Sequence, residues 1–141
     1  MTKLLVDTNV VLDLLAKRAP FYLQSLQLFS LADLNEIELV VSTLSIVNAH
    51  YILNDKRKIK ESRSIIGKFK VLVNSYELND KILELAINDS DFNDFEDRIQ
   101  YYTALESRCE IIITRNLKDF KRSAIPVLSP KAYLTKVKAE R

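Results

Sequence analysis

The sequence predicts an α/β protein: a three-layer α/β/α sandwich around a central, mostly parallel sheet of five strands. Three observations carry this. Five short β-branched or aliphatic runs lie along the chain, and helical periodicities separate them. A hydrophobic content of 48% with one Gly and three Pro in 141 residues suits a full core. Strands that alternate with helices are joined by crossovers that favour parallel pairing. One domain over residues 1–141 is expected, with no repeat and no linker.

The first strand covers 3–6, where Lys3-Leu4-Leu5-Val6 runs into Asp7, and Asp7-Thr8-Asn9 hands over to a helix over 10–17. A helix over 22–34 sets Tyr22, Leu26 and Phe29 on one face. Strand two, 38–42, leads directly into a helix over 43–53. A helix over 58–69, a strand over 71–75 and a helix over 81–87 follow. The late helix, 95–107, puts Phe95, Ile99 and Tyr102 on an apolar stripe and Asp94, Asp97 and Tyr101 on another face. Strand four, 110–114, ends in the polar turn Arg115-Asn116-Leu117-Lys118-Asp119, and strand five covers 126–128.

Composition narrows the chemistry. No run reaches the length of a membrane span, and the chain passes from Met1 into a strand without a secretory signal, so a cytoplasmic protein with no membrane contact is expected. The single Cys109 reads as a small hydrophobe at the start of strand four. The one histidine, His50, lacks partners for zinc or for a histidine-based triad. Metal chemistry must therefore use oxygen. The net charge of +2 conceals a basic stretch, Lys56 to Lys70, and an acidic one, Asn88 to Asp97. The basic stretch reads as a solvated helix face or as a phosphate-tracking patch.

In an open parallel sheet, ligands sit beyond the carboxyl ends of the strands. Asp7 stands at such an end, either for chemistry or as a helix cap. Asp94 and Asp97, three apart, are neighbours on the late helix; as N-cap and N3 they have a capping explanation as well. If Asp7 approached them, each like-charged pair would repel by about 4 kcal/mol at 4 Å and an effective dielectric near 20. Mg²⁺ or Mn²⁺, hard cations that accept carboxylates and water, would remove that repulsion. Asp13, one and a half turns into its helix, reads as a surface or core-edge acid. The turn after strand four adds Asn116 and Asp119 as polar groups at a third strand end.

The order of Leu5-Val6-Asp7-Thr8-Asn9, Asp94-Phe95-Glu96-Asp97-Arg98-Ile99 and Ile113-Thr114-Arg115-Asn116-Leu117-Lys118-Asp119-Phe120 resembles the PIN-domain family, metal-dependent nucleases that include toxins of toxin–antitoxin pairs. The resemblance runs from about residue 3 to 128. It implies a Mg²⁺- or Mn²⁺-dependent ribonuclease with Asp7 and Asp97 as its principal acids, and RNA as substrate. Asp94, Asn48, Asn116 and Asp119 would assist at the metal, and Thr8, Asn9, Arg115 and Lys118 would face the substrate. An antitoxin partner is implied, and homodimers are common in the family. Tyr101 and Tyr102 are core residues before they are base contacts. Two positions depart from the family pattern. Asn48 stands where the family places a glutamate, and Asn116 where an aspartate is frequent. The alternative reading is therefore a PIN-fold RNA-binding or interaction module with weak or no catalysis. A receiver-type domain is disfavoured because Asp7 is followed two positions later by Asn9, and a chain with only Gly67 cannot build a Gly-rich dinucleotide turn.

Overall fold

A computed structural model describes residues 1–55 and 59–141, with the side chains of residues 59 and 60 outside the described set. Lys56, Arg57 and Lys58 of the basic stretch, and the side chain of Lys60, therefore lie outside the described residues.

The sheet consists of β1 (Thr2–Val6), β2 (Ile37–Ser42), β3 (Asn74–Tyr76), β4 (Ile111–Ile113) and β5 (Val127–Leu128), ordered β3-β2-β1-β4-β5 with every pairing parallel. The described helices are α1 (Thr8–Leu15), α2 (Tyr22–Asp33), α3 (Thr43–Asn54), α4 (Ile59–Leu72), α5 (Asp80–Asn88), α6 (Phe95–Glu106) and α7 (Pro130–Glu140). A short 3₁₀ turn covers Leu117–Phe120. The α/β fold and parallel sheet agree with the sequence expectation.

Strand alternation divides the core. Leu4 and Val6 of β1, Leu39 and Val41 of β2, and Ile111 and Ile113 of β4 point to one side. There they meet Val10 and Val11 of α1, Phe29 of α2, Ala49 of α3, Phe69 of α4 and Tyr133 of α7. Leu5, Val40 and Ile112 point to the other side, against Tyr101 and Ala104 of α6, Phe92 and Phe120. Cys109 is buried in this second cluster, as its apolar setting predicts. Ile82 and Ala86 of α5 pack on Ile99 of α6.

Two expectations need correction. The strand expected over 71–75 begins only at Asn74, because α4 runs on to Leu72. Ile66, Phe69 and Leu72 recur every three residues along α4 and, with Val73 just beyond its end, reach the same core cluster; the burial of that face overrides the β-branched composition of Val71 and Val73. The chain after residue 128 also forms a helix that was not expected. Ser129 caps α7 by accepting from the Ala132 N–H at 3.1 Å, and Pro130 occupies its first turn, where a missing N–H does no harm.

Among the described residues, no helix is long and apolar enough to cross a membrane.

Candidate active site

The order in which successive strands join the sheet reverses between β1 and β4, and a crevice opens beyond their carboxyl ends. Asp7 stands at the end of β1 in that crevice. Its N–H donates to Ile113 O at 2.9 Å, extending the ladder by one residue. Its carboxylate accepts from the Thr8 N–H at 2.7 Å, which caps α1, and from the Thr114 hydroxyl at 2.8 Å. The Asn9 amide adds a longer contact of 3.4 Å. Asp7 is thus both a cap and a pocket residue, with only 5% of its surface exposed.

Asp94 likewise caps α6, accepting from the Asp97 N–H at 3.1 Å, and Asp97 sits one turn in. Asp7, Thr8, Asn9, Asp94, Glu96, Asp97, Asn116 and Asp119 line one open depression of about 230 Å³. Arg98 fixes its far rim by donating to the carbonyls of Phe92 at 2.7 Å, Ala86 at 3.1 Å and Asn93 at 3.3 Å. The exposed Lys118 lines an adjoining cleft of about 410 Å³ together with Lys121, Arg122, Asp94, Asp97 and Asp119.

Arg115 points elsewhere. Its guanidinium bonds Asp13 at 2.6 and 3.3 Å and lies 3.9 Å from the centre of the Phe21 ring. Asp13 is not the surface or core-edge acid its position suggested. It is fully buried between Arg115 and Arg18, the latter at 3.0 Å, because two guanidiniums from outside α1 reach in to satisfy it. Asn48 lies behind the depression, half-buried, with its amide 3.5 Å from Glu96 Oε1. Tyr101 is a core residue whose hydroxyl accepts from the Ala124 N–H.

The electrostatics follow from burial and crowding. Burial, resisted in part by the Thr114 and Thr8 hydrogen bonds, pushes the Asp7 carboxyl up to about 6, and the charges of Glu96 and Asp119 act in the same direction. Asp97 is pushed up to about 7, first by burial and then by Asp7, Asp94, Asp119 and Glu96. Among the described residues, neither Asp7 nor Asp97 forms an ion pair.

The profile of the PIN domain matches residues 3–118. The chain belongs to the PIN-domain family. It is 28% identical over 134 residues to ribonuclease VapC1 of Aquifex aeolicus (strain VF5), covering 93% of this chain and 92% of that one. Its fold is similar to VapBC2 from Rickettsia felis, solved with a DNA fragment of the promoter. That match has a TM-score of 0.67 and 17% identity, over 91% of this chain and 98% of the other. A toxin–antitoxin complex from Klebsiella pneumoniae matches with a TM-score of 0.65 and 24% identity, over 89% and 96%.

For a PIN domain, the donors of this depression are all oxygens, which suits hard cations. Among the described residues, no three acid, histidine or cysteine side chains form a ready-made metal cage. Mg²⁺ does not require one, because it keeps several waters and takes one or two carboxylates. Asp7 and Asp97, which form no ion pair among the described residues, fit that requirement. Sequence reasoning missed two groups of this PIN-domain site: Glu96 on α6, and Thr114, the hydroxyl that orients Asp7. Their signal was position, since Glu96 directly precedes Asp97 and Thr114 closes the Ile111-Ile112-Ile113 run just as Asp7 closes β1.

Proposed function

We propose that this chain is a ribonuclease that hydrolyses RNA phosphodiester bonds with Mg²⁺ or Mn²⁺, and that it is the toxin of a toxin–antitoxin pair. The observation that carries the reading is the meeting of Asp7 and Asp97 at the reversal point of the sheet. Both carboxyls are held well above their ordinary range, and neither has a cationic partner among the described residues. The ribonuclease name of the Aquifex aeolicus relative supports the substrate class, and the toxin–antitoxin complex among the structural neighbours supports an antitoxin partner.

Asp7 and Asp97 are the residues that would hold the ion, with Asp94 and Asp119 adding negative charge and Asn116 a carbonyl. A divalent cation held there would supply Lewis-acid polarisation of the phosphodiester and a more acidic water for attack. Thr114, Thr8 and Asn9 keep the Asp7 carboxylate in one orientation. Lys118, Lys121 and Arg122 neutralise successive phosphates along the adjoining cleft. Arg115 instead ties the end of β4 to Asp13 of α1.

The test is incubation of the purified protein with structured RNA and Mg²⁺ or Mn²⁺ beside an Asp7→Asn control. Cleavage by the wild type and none by the variant is expected. The neutral Asn48 favours a second reading, a PIN-fold binding module without efficient catalysis. Calorimetry in which millimolar Mn²⁺ leaves the acid cluster empty would establish that reading instead.

A further inference from the structure

We infer that Glu96 supplies the negative charge that Asn48 lacks, so that one acid of the cation site comes from α6 instead of α3, with Asn48 as its positioning residue. This rests on the metal-dependent reading above.

Glu96 lines the same depression as Asp7 and Asp97, and its charge acts on both of them. It is half-buried and forms no ion pair among the described residues, so its charge is not spent on a lysine or arginine. Among the described residues, its carboxylate is held by neutral donors alone. The Asn48 amide lies 3.5 Å from Oε1, and the Thr8 hydroxyl lies 3.2 Å from the same atom. Thr8 in turn contacts Ser45 at 2.7 Å, and the buried Gln100 amide donates to both, at 3.3 Å to Thr8 and 2.7 Å to Ser45. Neutral donors fix the direction of a carboxylate and leave its charge available.

The side chain at position 48 explains the arrangement. A glutamate there would set a second carboxylate beside Glu96, and two like charges at that range repel. An amide in its place donates instead. The site therefore keeps its total charge while the carboxylate changes helix.

The experiment is Mn²⁺ titration by calorimetry of the whole chain in four forms: wild type, Glu96→Gln, Asn48→Glu and the double variant Asn48→Glu/Glu96→Gln. Asp7→Asn serves as the reference loss, and thermal melts confirm folding. Glu96→Gln retains the shape and the acceptor for Thr8, so its expected effect is on the ion: a weakening of about 10- to 100-fold. Asn48→Glu alone gives no tighter binding, because its carboxylate opposes Glu96. The double variant regains affinity to within a few fold of wild type, since the charge has returned to α3.

Wild-type binding that is lost in Asp7→Asn but unchanged in Glu96→Gln would overturn the Glu96 assignment and leave the metal site standing. Glu96→Gln weakened but not rescued by Asn48→Glu would overturn the exchange between positions 48 and 96. Wild type that binds no Mn²⁺ would remove the metal site and this inference together.

Discussion

Asp7 and Asp13 lie six residues apart, both withdrawn from solvent, and the fold treats them in opposite ways. Asp13 is clasped by Arg18 and Arg115, with oxygens 3.0 and 2.6 Å from the guanidinium nitrogens. Asp7 is surrounded by a hydroxyl, an amide, a backbone N–H and further carboxylates. A buried carboxylate with its cations built in is complete and serves the fold. One held only by neutral donors, among other acids, is complete only when something positive arrives. The comparison separates structural acids from candidate catalytic ones by partner chemistry, where burial alone cannot.

The comparison can be broken most directly at Asp7. Asp7→Asn is expected to abolish RNA cleavage while leaving stability without divalent ions unchanged or raised, since an unfavourable charge is gone. Cleavage assays beside urea denaturation check both halves. Asp13→Asn should do the reverse, lowering stability by about 3 kcal/mol because two guanidiniums lose their counter-charge. That lies at the low end of what breaking a buried pair costs, since both arginines keep some water.

The pH response sharpens the same contrast. Asp7 at about 6 and Asp97 at about 7 both lie above their ordinary 3.8. The native protein therefore holds protons that the unfolded chain has released between about pH 4 and 7. In EDTA, the contribution of these two groups to stability should fall as pH rises through that window. Mn²⁺ competes with the protons, so the stabilisation it gives should be largest above pH 7 and small near pH 5. Thermal melts at several pH values, with and without Mn²⁺, read this; stabilisation by Mn²⁺ that does not vary with pH would count against carboxylate ligands.

The smallest effect concerns the cations. Lys118→Ala should weaken RNA binding a few fold across sequences and reduce the salt dependence by about one ion, with little change in stability. Arg115→Ala should instead lower stability, because it removes a partner of Asp13. Binding measured over a salt series, beside denaturation, separates the two.

Much of this was legible in the letters. The β1 and β4 strand ends were visible because Leu4-Leu5-Val6 and Ile111-Ile112-Ile113 are unbroken apolar runs closed by a polar residue. Strand three was not, since Val71 and Val73 carry β-branched composition while the core demands that Ile66, Phe69 and Leu72 lie on one helical face. Asp13 looked like a surface acid because its two arginines come from 5 and 102 positions away, beyond what spacing along one helix reveals. Glu96 was overlooked for a similar reason. Its contacts with Thr8 and Asn48 are made across three elements and exist only after folding.

Arg98 gives the rim of the depression a further property. Its guanidinium clamps the carbonyls of Ala86, Phe92 and Asn93, so the turn that presents Asp94 is set before any ligand arrives. Ordering a loose segment on association would cost about 1–2 kcal/mol of backbone entropy per residue. Here that disorder is already gone. Affinity on this side of the molecule therefore reports the chemistry of contact and not the freezing of a loop.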